Sequence, residues 1–334
     1  MCGGVRDMDK NGIIQVQGLS KRFGDIQAVD GLDFSVKEGE IFGFLGPNGA
    51  GKTTTIRMLV GLLRPDSGSA LVNGHDVLKE PVRAKESVGV VPESSNLYGE
   101  LSALENLIYM AQLYGLPKKE WRGRSEELLQ EFNLLDRKDG KFQGFSRGMK
   151  RRLTIAAALI HRPRILFLDE PTTGLDVMSA RGLRGMVKKL KKKGVTVFLT
   201  THLIQEAEDL CDRVAIIVKG KIRVTDTPEA LKDKVRETEV LEIRPNPVSQ
   251  GLLSKLESLT GVEKATLIED KLRLYGKSLH QSVYQILNQL NAEGVSILSI
   301  QTLTPTLEDA FVKLTGVDAE VMRIDKPVKM GGPG

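Results

Sequence analysis

Eight consecutive residues, Gly46-Pro47-Asn48-Gly49-Ala50-Gly51-Lys52-Thr53, form a pattern suited to holding phosphate. Glycines let successive backbone N–H groups turn toward an anion, and a helix starting after them would aim its positive end at the same place. Lys52 can reach β- and γ-phosphates, Thr53 offers a hydroxyl to Mg²⁺, and Thr54 offers another to an α-phosphate oxygen. A second group, Asp169-Glu170, ends the apolar run Ile165 to Leu168. Carboxylates at the C-terminal edge of a strand stand where α/β sheets bind ligands. Asp169 suits Mg²⁺ through water, and Glu170 can polarise an attacking water. Alone, either segment could be a structural turn or a solvated strand end; together they point to hydrolysis of a nucleoside triphosphate.

These groups must be held by particular elements. Short β-branched runs alternate with helical patterns: Ile41 to Leu45 then Thr53 to Leu63, Ile165 to Leu168 then Ser179 to Lys191, Val195 to Leu199 then Leu203 to Cys211. That order predicts an α/β domain around a largely parallel sheet. Ile13 to Val36 has strand patterns without helices, as an antiparallel flap would. Between Ser102 and Phe132 the pattern is helical and opens with the capping box Ser102-Ala103-Leu104-Glu105. After the polar stretch Thr225 to Glu237 the order becomes strand, helix, strand, strand, helix, strand, from Glu239 to Leu303, which is the ferredoxin-like βαββαβ order. Leu279, Val283, Ile286, Leu287 and Leu290 make a core face on its second helix, and a last helix is expected at Leu307 to Leu314.

The chain has 334 residues, 40% hydrophobic and 27% charged, which is an ordinary globular composition rather than a disordered one. No apolar run approaches the ~20 residues of a spanning helix, and Met1 to Gly12 has no apolar signal segment. Cys2 and Cys211 form no metal or redox spacing, so a cytoplasmic location is expected. The first 235 residues hold 37 basic and 30 acidic residues, the remainder 11 and 13. This modest basic surplus, densest at Lys188 to Lys193, reads as a solvated helix face.

Over nearly all of residues 13–220 the chain resembles the ATP-binding subunits of ABC transporters. Phe145-Ser146-Arg147-Gly148-Met149 stands where that family has its signature segment, and Gly174-Leu175-Asp176 resembles its D-loop. His202 resembles the switch histidine, Phe23 the aromatic that stacks on adenine, and Pro92-Glu93 the glutamine loop. The resemblance implies ATP and Mg²⁺ as cofactors, with Glu170, His202 and Lys52 catalytic. It places Phe23, Gly46, Asn48, Gly49, Ala50, Gly51, Lys52, Thr53, Thr54, Ser146, Gly148 and Asp176 around the nucleotide, and Thr53, Glu93 and Asp169 at the metal. It also implies a head-to-tail dimer in which Ser146 and Gly148 reach the partner's γ-phosphate. The chain departs from the pattern where Arg147 replaces a glycine, Met149 a glutamine, and Glu93 a glutamine. Glu93 keeps an oxygen for the metal, loses an amide donor and adds charge.

The expected fold is therefore α/β: a P-loop ABC-type nucleotide-binding domain at 13–220 with an antiparallel flap and a helical subdomain about 93–160. A connector at 221–238, a small C-terminal α+β domain at 239–316 and a tail at 317–334 would follow. The ending Thr304-Pro305-Thr306-Leu307-Glu308-Asp309-Ala310-Phe311 resembles ATPases of ABC-2 type exporters, including the daunorubicin-resistance branch. That implies a separate membrane permease, a second copy of this chain, attachment to the cytoplasmic face of the cell membrane, and export of a drug, lipid, polysaccharide or similar cargo. A translation-type ABC ATPase would carry two nucleotide domains, whereas one phosphate loop is present. A DNA-repair ATPase would need a long heptad insertion between Lys52 and Ser146, and only a short helical patch lies there. A purely nucleic-acid-binding module leaves the phosphate loop unexplained, so nucleic acid is not an expected partner.

Overall fold

The computed structural model describes residues 12–95, 97–235, 239–246, 251–268, 270–277, 279–303 and 306–317. Cys2, Thr304-Pro305 and the tail beyond Val317 lie outside them. The chain divides into two compact units, one through Thr225 and one from Asp226.

The first unit begins with β1 (Ile14–Phe23) and β2 (Ile26–Val36), an antiparallel pair. It continues through β3 (Ile41–Leu45), α1 (Lys52–Leu59), β4 (Ser67–Val72), β5 (His75–Asp76), α2 (Pro81–Glu86) and β6 (Val88–Val91). The helices α3 (Ala103–Leu113), α4 (Trp121–Glu131) and α5 (Arg147–Ala158) follow. Then come β7 (Ile165–Asp169), α6 (Val177–Lys192), β8 (Thr196–Thr201), α7 (Ile204–Leu210), β9 (Arg213–Val218) and β10 (Lys221–Asp226). β1, β2, β4 and β5 make the antiparallel flap in the order β2-β1-β4-β5. The other six strands make one sheet, β10-β9-β3-β8-β7-β6, parallel from β9 through β6.

Every residue of β3, β7 and β8 is buried, as continuous apolar strands covered on both faces should be. Phe34 of the flap meets Phe42 and Phe198 of the parallel sheet with ring centroids 5.7 and 6.0 Å apart, so one core joins both sheets. The chain enters the parallel sheet at β3 and returns on both sides of it, to β8 and β9. The carboxyl ends of β3, β7 and β8 thus converge where such sheets bind ligands. Ser102 caps α3 as its sequence predicts: its hydroxyl accepts from Glu105 N at 3.2 Å, and Glu105 Oε2 accepts from Ser102 N at 2.7 Å. The helix expected to run to Leu63 instead ends at Leu59, because the N–H groups of Leu62 and Leu63 fold back on the Arg57 carbonyl at 2.8 and 2.9 Å.

The second unit holds α8 (Pro228–Asp233), β11 (Glu239–Asn246), α9 (Leu252–Glu257), β12 (Lys264–Ile268), β13 (Lys271–Gly276), α10 (Leu279–Ala292), β14 (Ser296–Leu303) and α11 (Leu307–Thr315). Its antiparallel sheet has the order β12-β13-β11-β14, the split βαβ arrangement of ferredoxin-like domains. Leu241, Ile243, Leu272 and Leu274 on one sheet face pack against Leu252, Leu256, Leu279, Ile286 and Leu290 of α9 and α10. On the other face Arg273 bonds Glu242 at 2.9 Å and reaches Glu308 of α11 at 3.3 Å. The stretch 221–238, expected as a connector, contains β10 in the first unit's sheet and α8, which packs against α11. Thr227 caps α8 by accepting from Ala230 N at 3.1 Å, and Pro228 follows it in the first turn.

Candidate active site

β3 delivers the chain into the loop Gly46 to Gly51, and α1 begins at Lys52. Gly51 adopts φ 101°, and a Cβ there would lie 2.3 Å from the Ala28 carbonyl oxygen, so the loop requires glycine at that position. Lys52 is buried and its Nζ donates to the carbonyls of Gly46 and Pro47 at 2.5 and 3.2 Å, curling the side chain back over the loop. The same ammonium forms an ion pair with Glu170 Oε1 at 3.0 Å. A cation is thereby fixed at the mouth of a cradle of backbone N–H groups, which suits the terminal phosphates of a nucleotide.

β7 carries Asp169 and Glu170 to the same edge. Thr53 Oγ1 lies 3.2 Å from Asp169 Oδ1, and Thr200 Oγ1 of β8 donates to that oxygen at 2.6 Å. A hydroxyl and a carboxylate are the hard oxygen donors that Mg²⁺ prefers, and it keeps several waters when bound to so few protein atoms. Among the described residues no cluster of three or more His, Cys, Asp or Glu offers an alternative metal site.

Glu170 sits at φ 49°, a left-handed conformation unusual for a side chain of its size. Its N–H is held by Thr200 O and Oγ1 at 3.1 and 3.2 Å, which fixes the strained residue. His202 Nδ1 lies 2.8 Å from Glu170 Oε2, and Thr173 Oγ1 donates to that same oxygen at 3.2 Å. Burial pushes the Glu170 carboxyl up, but the His202 contact and the Lys52 charge outweigh it and hold the group below its ordinary value. The site therefore keeps Glu170 ionised, with one oxygen toward Lys52 and the other toward His202. An ionised, oriented carboxylate can accept a proton from water.

Lys52, Thr53, Asp169, Glu170 and His202 thus meet in one place. Ala50 is buried in the loop, while Asn48 and Thr54 are partly exposed and Gly49 is exposed. Phe23 ends β1, the residue 48% exposed and Lys21 Nζ 5.6 Å from its ring centroid. The signature residues form a separate feature at the start of α5. Ser146 is its N-cap, accepting from Met149 N at 3.3 Å, and a Cβ on Gly148 would come within 2.6 Å of Ser179 Oγ. Asp176 caps α6 by accepting from Ser179 N at 2.9 Å. Arg147 reaches the Gly174 carbonyl at 3.5 Å, joining the signature segment to the loop before α6. Glu93 is exposed just after β6, and its main-chain carbonyl accepts from Arg151 at 2.5 Å.

Sequence reasoning missed Thr200, Arg151 and Glu206. Thr200 stands two residues before the histidine at the end of an apolar strand, a signal that could have been used. Arg151 and Glu206 are hidden inside charged helical stretches.

A phosphate loop between β3 and α1, facing an acidic strand end in a parallel sheet, defines a P-loop nucleotide hydrolase. Residues 29–173 match the ABC transporter family, and residues 227–315 match the C-terminal domain of DrrA1-3-like ATP-binding proteins. The chain is 38% identical over 306 residues to the linearmycin resistance ATP-binding protein LnrL of Bacillus subtilis (strain 168), covering 91% of this chain and 98% of that one. It is 37% identical over 310 residues to the daunorubicin resistance ATP-binding protein DrrA3 of Streptomyces coeruleorubidus, covering 92% and 97%. The Nod factor export ATP-binding protein I of Ralstonia nicotianae (strain ATCC BAA-1114 / GMI1000) is 37% identical over 306 residues, with 91% and 94% covered. A solved ATP-binding subunit of an ABC transporter aligns with TM-score 0.60 and 32% identity over 66% of this chain and 92% of its own. The dimeric ATP-binding cassette MJ0796, bound to ADP and Pi after hydrolysis, aligns with TM-score 0.59 and 26% identity over 64% and 98%. The chain belongs to the ABC transporter ATP-binding proteins: it is an ATPase subunit with a DrrA-like C-terminal domain.

Proposed function

We propose that this subunit hydrolyses ATP to drive a separate ABC-2 type membrane permease that exports a drug, lipid, polysaccharide or similar cargo. The Lys52–Glu170–His202 cluster carries the catalytic part of this reading. Export is supported by relatives named for linearmycin and daunorubicin resistance and for Nod factor export. Among the described residues no helix is long and apolar enough to cross a membrane, which fits a peripheral subunit at the cytoplasmic face.

In the proposed cycle phosphate oxygens compete with Glu170 for Lys52 and draw the ammonium over the β- and γ-phosphates. The Glu170 oxygen released from that pair is then free to hold a water. Thr53 and Asp169, with Glu93 beside them, would hold Mg²⁺, which when bound neutralises charge on the phosphates. Water adds to the γ-phosphorus as the bond to the bridging oxygen breaks, and Glu170 accepts the water's proton. His202 orients Glu170 through Oε2 and faces the developing charge. Phe23 stacks on the adenine. Ser146 and Gly148 close the site from a second copy bound head to tail, Gly148 through backbone N–H at the start of α5.

Purified chain and two variants test the reading. Lys52→Ala should weaken nucleotide binding and abolish turnover. Glu170→Gln should retain ATP but hydrolyse it about 10²- to 10⁴-fold more slowly, the range for a lost general base. With ATP and Mg²⁺ it should elute as a dimer. Wild-type turnover in both variants would exclude this site.

A further inference from the structure

Arg151, on the helix that begins with the signature segment, is only 5% exposed. Its guanidinium donates to three main-chain carbonyls on two other segments: Pro92 at 2.5 Å, Glu93 at 2.5 Å and Glu170 at 3.4 Å. Pro92 and Glu93 follow β6, Glu170 follows β7, and these strands are neighbours in the parallel sheet. One planar side chain therefore straps α5 to the loop after β6 and to the backbone of the general base.

A buried guanidinium is a costly way to fill space, because desolvation opposes it and apolar side chains of similar volume pack at least as well. The rigid fork, however, holds two consecutive carbonyls at fixed spacing, which neither lysine nor an apolar residue can do. Burial pulls the guanidinium below its ordinary value and the carboxylates of Glu93, Asp169, Glu206 and Glu170 partly oppose that, while an arginine so far from neutrality keeps its charge and the link stays intact. Ser146, which caps the same helix, lies little more than one turn before Arg151. A displacement of that end of α5 would therefore bear, through Arg151, on the carbonyl of a residue already at φ 49°.

We propose that Arg151 is a positioning residue that transmits movement of the signature helix to the Glu93 loop and to Glu170, setting the base for hydrolysis only when the signature segment is engaged. This rests on the ATPase reading above. The full chain, Arg151→Met and Arg151→Lys are compared by steady-state hydrolysis, affinity for a fluorescent ATP analogue with Mg²⁺, and hydrogen exchange with and without ATP. Arg151→Met should bind ATP within about threefold of the parent while kcat falls about 10- to 100-fold, the scale of a misplaced catalytic group. ATP-dependent protection should persist at 46–54 but disappear at 90–95. Arg151→Lys, able to reach a carbonyl but not to fork, should lie between.

An unchanged kcat in Arg151→Met, or retained protection at 90–95, overturns the proposal. So does a fall in kcat matched by an equal fall in ATP affinity. Failure of both variants to fold also overturns it, by making Arg151 a packing residue only. If the unaltered chain does not hydrolyse ATP, the ATPase reading falls and this proposal with it. If the unaltered chain turns over and Arg151→Met equals it, only this proposal falls.

Discussion

Glu206 lies on α7, four residues after His202, and is 1% exposed. Thr172 and Thr201 flank its carboxyl, yet neither oxygen has a well-aligned hydrogen bond. Burial, with added repulsion from Glu170, pushes the group up to about 7 from an ordinary 4.5. In the folded chain the carboxyl keeps its proton across a window in which the unfolded chain has lost it. The folded state then binds more protons, so its stability falls as pH rises through that window. The difference between 4.5 and about 7 corresponds to about 3 kcal/mol once pH is above both values.

Glu206→Gln imitates the protonated acid and removes this dependence. Near pH 5 parent and variant should differ little. At pH 8 the variant should be more stable by about 3 kcal/mol, or roughly 6–12 °C in Tm for a unit of this size. Thermal unfolding is followed from pH 5 to 8.5, taking the transition that ATP moves upward as that of the nucleotide-binding unit. Comparing the two proteins at each pH cancels the titrating groups that are not coupled to Glu206. A Tm difference that is the same at all pH values, or a parent more stable at pH 8, would refute the reasoning, because Glu206 would then be ionised and adequately paired.

Gly148→Ala would set a methyl 2.6 Å from Ser179 Oγ, so it should lower both Tm and ATPase activity, and adding Ser179→Gly should recover most of the loss. No recovery in the double variant would mean that the glycine serves backbone contact with the partner's nucleotide rather than helix packing. Glu93→Gln should keep ATPase activity while shifting its Mg²⁺ dependence, whereas Glu93→Ala should lose activity that extra Mg²⁺ only partly restores. Superimposable Mg²⁺ titrations for the three proteins would show that Glu93 has no part in the metal site.

What the residue order reveals depends on how local the chemistry is. A phosphate cradle uses successive N–H groups of one loop, so Gly46 to Thr53 declares itself in eight letters. Capping is equally local, and Thr227-Pro228-Glu229-Ala230 spelled a helix start inside a stretch whose polarity suggested only a connector. The alternation of β11 to β14 with two helices was legible because burying one sheet face imposes a period on each element.

Positioning is different, because it depends on which face of a helix turns inward. Lys150-Arg151-Arg152 reads as a solvated basic run, yet only Arg151 is fully buried. Glu206 stands among Gln205, Glu208 and Asp209 and looks like one more surface acid, although it lies on the buried side of α7. Composition is blind to that choice, since a helical period shows in apolar residues and not in the rare charged one placed among them. Lys52 and Glu170 are 118 positions apart and have no sequence relation that announces a 3.0 Å pair. Only the parallel pairing of β3 with β8, and of β8 with β7, brings their strand ends together. Residues of the candidate nucleotide site can therefore be found as motifs, whereas buried charged residues such as Arg151 and Glu206 are found only once the fold shows which way each helix faces.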